Sequence, residues 1–251
     1  MEEFGAVNLI IFVLATFAGS VIAGLSGFAF GLIAASVWLY ILTPAQTASL
    51  IALFAILMQG IAVWRLRCDV KLGRVIPFVI GGAIGVPIGV ALLRWISPEF
   101  LRSGVGILLI LFSVYNFARP KLVPVSIGGS AADWVVGLLS GVLGGATGLA
   151  GILTIMWCGM RGWTRNEQRT VFQPTTAAIF IMALIWFGEA GVLDRHTLRL
   201  FLIGLPVLLA GHWLGLKLYD RFDEARFRRV VLFLLLLSGI VLVTRGALLS
   251  S

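Results

Sequence analysis

Two glycine-rich stretches hold the residues most able to bind an anion. Gly24-Leu25-Ser26-Gly27 leads to Gly31, and Gly144-Gly145-Ala146-Thr147-Gly148 lies in the second half of the chain. Glycine at this density unwinds a helix. A helix that restarts leaves its first N–H groups free and carries about half a positive charge at that end. Such an end is an anion site, to which the hydroxyls of Ser26 and Thr147 would add contacts. The competing reading is close helix packing, because Gly27/Gly31 and Gly144/Gly148 are both GxxxG spacings. The same break in both halves favours a site.

Further polar groups interrupt otherwise apolar runs. Gln46 and Ser49 open one such run, and Gln168, Thr170, Gln173, Pro174, Thr175 and Thr176 open another. The outer ones suit helix capping, and the inner ones suit either interhelical hydrogen bonds or a substrate cavity. Pro174 frees backbone groups beside Gln173, Thr175 and Thr176. Arg169, one turn earlier, would attract an anion to the mouth. His212 lies inside the run 200–216 and could carry a coupling proton. Glu189 ends 170–188 and is read as interfacial. Gly24-Leu25-Ser26-Gly27 also resembles the GxSG nucleophile motif of rhomboid intramembrane proteases, with His212 as the partner of a Ser–His dyad. Leu143 stands opposite Ser26 in the other half, so glycine architecture explains the motif better. Cys68 and Cys158 have no CxxC or histidine neighbour, so neither a zinc site nor a disulfide framework is expected. No Walker A lysine motif occurs. No cofactor is expected.

These groups need elements to position them. The chain has 251 residues, 60% apolar and 12% charged, against about 45–50% and about 25% in soluble domains. That composition excludes soluble enzymes and nucleic-acid modules and leaves a polytopic membrane protein. The net charge of +8 sits between the apolar runs, as topology signals and headgroup contacts in a lipid bilayer. No charged residue occurs from Phe4 to Trp64. Further charge-free runs cover 75–93, 103–118, 134–160, 170–188, 200–216 and 230–244. These runs are continuous rather than alternating, which predicts helices and not a β-barrel. The acidic start, Met1-Glu2-Glu3-Phe4, is unlike a signal peptide, so the first helix is expected to be retained.

The chain nearly repeats itself. A spacing of 117 pairs Gly24 with Gly141, Gly27 with Gly144 and Gly31 with Gly148. A spacing of 126 pairs Gly85 and Gly89 with Gly211 and Gly215, and Leu101-Arg102 with Phe227-Arg228. Gly81, Gly82, Gly85, Gly89, Gly211 and Gly215 are read as packing surfaces. The division expected is a first transmembrane repeat over 1–117, a linker over 118–131 and a second repeat over 132–251. The segment 6–42 would be about 55 Å long as one helix, against a bilayer core of about 30 Å. It must be a broken helix or a hairpin, and so must 132–160. If both cross once, Lys and Arg divide 10 to 9 between the two sides; if both are hairpins, they divide 14 to 5. The positive-inside bias favours hairpins, with both termini outside. Three crossings then follow in each half (46–64, 75–93, 101–117 and 170–188, 198–216, 230–247). The fold expected is all-α and polytopic, with two inverted repeats and eight to ten membrane helices.

The openings Gly24-Leu25-Ser26-Gly27 and Gly141-Val142-Leu143-Gly144-Gly145 resemble the sulfite exporter TauE/SafE family of membrane permeases. So do Thr43-Pro44-Ala45-Gln46-Thr47-Ala48-Ser49-Leu50 and the Gly81–Gly89 stripe. The family's first-half Thr-Ser-Leu pattern falls on Thr47, Ser49 and Leu50. The resemblance implies a transporter of small sulfur-containing anions such as sulfite, thiosulfate or an organosulfonate. The expected protein is a secondary exporter in the cytoplasmic membrane, working by alternating access around a midplane site between the repeats. Its expected substrate-binding set is Gly24, Ser26, Gly27, Gly31, Ser49, Gly144, Gly145, Thr147, Gly148, Gln173, Thr175 and Thr176. The alternatives are an anion channel of the same fold and the protease using Ser26 and His212.

Overall fold

The computed structural model describes residues 5–27, 29–66, 69–118, 129–218 and 224–249. Cys68, the linker residues 119–128 and the side chains of Ser26 and Arg228 lie outside the described residues. All regular structure among the described residues is helical. In the first half the helices are α1 (Ala6–Ser26), α2 (Phe30–Trp38), α3 (Pro44–Leu66), α4 (Leu72–Trp95) and α5 (Pro98–Ala118). In the second they are α6 (Gly129–Thr147), α7 (Gly151–Met160), α8 (Arg165–Glu189), α9 (Arg195–Leu218) and α10 (Glu224–Leu249). Among the described residues six stretches are long and apolar enough to cross a membrane: Ala6–Leu25, Pro44–Trp64, Leu72–Trp95, Pro98–Ala118, Asn166–Glu189 and Arg195–Leu218. Gly151–Met160 and Val231–Thr244 are shorter apolar helices. On α4 a row of isoleucines, Ile76, Ile80, Ile84 and Ile88, stands 46–51% exposed. Such a row suits lipid rather than water.

Both long apolar segments fold back as hairpins. Phe12 of α1 stacks on Trp38 of α2 with ring centroids 5.0 Å apart. Gly19 faces Ile33, so the two helices run antiparallel. In the second segment the Ser140 and Thr154 hydroxyls are 3.0 Å apart. Further from the turn, the Trp157 indole N–H donates to Asp133 Oδ1 at 2.7 Å. Each hairpin has a long arm and a short one: α2 has 9 residues and α7 has 10.

The turns are made by glycines in the left-handed region. Gly27 ends α1 with φ 86° and donates its N–H to Ala23 O. Gly148 follows α6 with φ 75° and donates its N–H to Gly144 O at 3.0 Å. This is the αL helix ending, which suits glycine because it has no Cβ to strain. The two breaks therefore match at Gly27 and Gly148, a spacing of 121 rather than 117. The sequence pairing of Gly27 with Gly144 and of Gly31 with Gly148 is corrected by four residues, one helical turn. Both registers align glycines, and only the backbone conformation separates them.

The chain forms two compact units, and each draws helices from both halves of the sequence. One comprises 1–47, 97–119 and 195–251; the other comprises 48–96 and 120–194. In the first unit α9 lies on α1, and α10 lies on α5. A Cβ added at Gly215 would strike Val21 O, and one at Gly24 would come within 2.7 Å of His212 O. Between α5 and α10, Gly106 and Gly239 each meet the other's carbonyl, at 2.9 and 2.7 Å. In the second unit α4 lies on α6 through facing glycines. Gly85 and Gly89 abut Leu138 O and Val142 O, while Gly137 abuts Phe78 O and Gly145 comes within 2.5 Å of Val86 O. Small residues let backbones approach this closely. The glycines read as packing surfaces do pack, and the two interfaces share a register. Gly85 on Leu138 and Gly89 on Val142 correspond to Gly211 on Phe17 and Gly215 on Val21.

Candidate functional site

The second unit brings together most of the polar groups singled out in the sequence. Its centre is the α6–α7 reversal. Gly148 rests on α3: an added Cβ would lie 3.0 Å from Ile51 Cβ and 3.1 Å from Ala48 O. Ser49 follows Ala48 on α3, about 100° round the helix from it. Gly151, the first residue of α7, faces α8, with Thr176 Oγ1 3.6 Å from where its Cβ would be. One turn further along α8, Ile179 reaches Gly144 and Gly82, at 2.9 and 2.8 Å from their would-be Cβ atoms. The reversal is thus flanked by α3 and α8, and α7 starts beside a threonine.

Four side chains of the second unit, one on α3 and three on α8, are buried and carry a polar atom without a partner. Ser49 and Thr175 are fully buried, Thr176 is 2% exposed and Gln173 5% exposed. Ser49 Oγ, Thr175 Oγ1, Thr176 Oγ1 and Gln173 Oε1 have no hydrogen-bond partner. A buried unpaired hydroxyl or amide is costly, about 1–3 kcal/mol each, and such groups are few in a folded protein. Gln173 and Thr176 are three residues apart on one face of α8, and Arg169, half-buried, continues that face one turn earlier. Pro174 interrupts the backbone ladder in between, because it has no N–H to give the Thr170 carbonyl.

Other expected contacts are engaged elsewhere. The Thr147 hydroxyl donates to Leu143 O at 2.7 Å and accepts from Leu149 N–H at 3.3 Å, so it holds the turn. Gly144 and Gly145 are packing positions, against Ala150 and Ile179 and against α4. In the first unit Gly24 packs on α9 and Gly27 makes the turn. Gly31 is half-buried in the first turn of α2. His212 lies on α9 with its backbone carbonyl against Gly24. Aromatic rings pack around the α1–α2 hairpin, where Phe30 meets Trp38 edge-on at 5.8 Å. Sequence reasoning missed Gly151. Its signal was available, since Gly148-Leu149-Ala150-Gly151 ends on a residue with no Cβ where the new helix begins.

The far end of the second unit fixes how α6, α7 and α8 begin and end. Asp133 accepts from Trp157 and from Arg161 Nη2, the latter at 3.4 Å, and so ties the open end of the α6–α7 hairpin. Arg161 and Arg74 both lie over the Trp163 ring, at 5.7 and 5.0 Å from its centroid. Arg74 also pairs with Glu167 at 3.2 Å. Thr164 and Glu167 form a capping box that starts α8. This clasp sets the position of the Arg169–Gln173–Thr176 face.

The family model for the sulfite exporter TauE/SafE matches residues 11–242. No curated protein and no solved structure matches the chain. The match runs from the first hairpin into the last helix and takes in both reversals. With six membrane-length apolar helices and that coverage, the chain is a multi-pass membrane protein of the sulfite exporter TauE/SafE family.

Proposed function

We propose that the chain exports a small sulfur oxyanion across the cytoplasmic membrane and binds it at the α6–α7 reversal. The observation that carries this reading is the set of buried side chains with unpartnered polar atoms in the second unit, Ser49 on α3 and Gln173, Thr175 and Thr176 on α8, of which Thr176 stands beside the start of α7. Hydroxyls, an amide N–H and the first N–H groups of a helix are all donors to an oxyanion. A helix terminus contributes typically ~0.3–1 kcal/mol, and up to ~2 when partly buried. That gives modest affinity, which suits a substrate that must leave again. Gly144, Gly145, Thr147 and Gly148 serve this site by shaping the turn, and Arg169 draws the anion in.

The transport cycle in this reading is alternating access by two halves, 1–117 and 132–251, inserted with opposite orientation and both termini outside. The charge asymmetry of the hairpin arrangement supports it, as does the recurrence of the glycine contacts in both halves. Gly24, Ser26, Gly27 and Gly31 form the matching reversal of the first half.

The test is uptake of radiolabelled sulfite into proteoliposomes, with thiosulfate and organosulfonates as competitors. Saturable flux with counterflow is expected. Electrical conduction without saturation would replace the carrier with a channel. Wild-type kinetics in a Thr175→Val/Thr176→Val variant would reject the site.

A further inference from the structure

We infer that the site takes its substrate as a monoanion, so that sulfite crosses as hydrogensulfite and the proton travels on the substrate. The inference rests on the reading that the α6–α7 reversal binds the anion. Its basis is the donor set. The buried polar atoms without a partner on α3 and α8 of the second unit all belong to neutral side chains: Ser49, Gln173, Thr175 and Thr176, and Thr176 adjoins the start of α7. The helices around them are free of charge over long stretches. Residues 45–64 of α3, 75–93 of α4, 134–160 of α6 and α7, and 170–188 of α8 contain no Asp, Glu, Lys, Arg or His. Cys158, the one thiol among these helices, is buried in a separate cluster with Phe78 and Val171. Arg169 stands on the α8 face but about 6 Å along the axis from Gln173, one turn toward the helix start.

Charge solvation decides which species fits. The cost of moving an ion out of water grows with the square of its charge, so a dianion is about fourfold more costly to bury than a monoanion. Neutral hydroxyls and one helix start return only a fraction of that. Among the described residues the charge-free stretches around the reversal offer no cation, and the largely buried Arg161 is already paired with Asp133, so a dianion is disfavoured at the reversal and a monoanion is tolerated. Gln173 points the same way. Its buried Oε1 is an acceptor without a donor, and hydrogensulfite supplies an O–H that sulfite lacks. The second ionisation of sulfurous acid lies near neutral pH, so both species are present in the cell and the site can choose. A permanently monoanionic alkylsulfonate meets the charge requirement without a proton, although it has no O–H for Gln173 Oε1.

The experiment uses the purified full chain in proteoliposomes, with protein-free vesicles as background. Sulfite flux is followed against pH at fixed total sulfite. Methanesulfonate (monoanion) and sulfate (dianion) are compared as competitors at each pH. Flux should track the hydrogensulfite fraction, falling roughly tenfold per pH unit above its ionisation. Once corrected for the hydrogensulfite present, the inhibition constant of methanesulfonate should be the same at every pH and that of sulfate at least tenfold weaker. Flux that follows the dianion, or sulfate competing as well as methanesulfonate, overturns the inference and leaves the site standing. Competition by both anions that is the same in wild type and in Thr176→Val overturns the site itself, and the inference with it.

Discussion

Gly27 and Gly148 hold the same left-handed conformation, φ 86° and 75°, at corresponding turns of two helical hairpins. Gly148 has α3 pressed against it, with Ala48 and Ile51 within 3.1 Å of a would-be Cβ. Gly191 is a natural control, with φ 66° and nothing within 4 Å. Alanine at either position incurs the left-handed cost of roughly 1–2 kcal/mol. Only Gly148→Ala must also push α3 away from the reversal. Thermal unfolding in detergent should show Gly148→Ala lower in Tm than Gly191→Ala. Equal melting temperatures would mean that α3 gives way freely.

The Asp133 clasp makes a second prediction. The Asp133 and Arg161 side chains are 8% and 16% exposed, so the pair is largely buried. Removing one partner of such a pair typically costs about 3–5 kcal/mol, because the other charge stays behind. Asp133→Leu should therefore destabilise strongly, and adding Arg161→Met should recover part of the loss. A double variant no more stable than Asp133→Leu would show that Trp157, not Arg161, is the partner that matters.

Much of this arrangement can be read from the residues. The charge count favoured hairpins over single crossings, and the contacts from Phe12 to Trp38 and from Asp133 to Trp157 are those of hairpins. The register of the break was less legible. Gly24 and Gly145 exist for helix contact, while Gly27 and Gly148 exist for backbone conformation. Both purposes produce the same GxxxG spacing, so a one-turn shift left the pattern intact. The site set was legible as a list of polar residues but not as a geometry. Thr147 and Thr170 return their hydroxyls to their own helices, at Leu143 O and Glu167 O. Thr175 and Thr176 do not. Rotamer choice and the approach of α7 decide that difference, and neither is written in residue type.

If the substrate carries its own proton, His212 has no role in coupling. It lies on α9, where its carbonyl meets Gly24 in the helix contact of the first unit. In His212→Gln the curve of sulfite flux against pH should keep its shape, whatever its height. A curve flattened across the histidine range, near pH 6.5, would place the proton on the protein.

The four unpartnered side chains allow function and stability to be separated. Ser140 and Thr154 are both fully buried and satisfy each other at 3.0 Å. Ser140→Ala leaves the Thr154 hydroxyl unpaired, at a cost of about 1–3 kcal/mol. Thr176 makes no such bond, so Thr176→Val removes a hydroxyl that stabilises nothing in the fold. Its melting temperature should hold or rise, because replacing an unsatisfied buried polar group by an apolar one of the same shape is neutral or favourable. Transport should fall at the same time, by tenfold or more, since functional sites are kept at the expense of stability. Ser49→Ala should behave in the same way. Ser140→Ala should do the reverse, losing stability while the folded protein still carries substrate. A Thr176→Val protein that melts lower than wild type and transports normally would make its hydroxyl a structural group, and the reversal a packing feature.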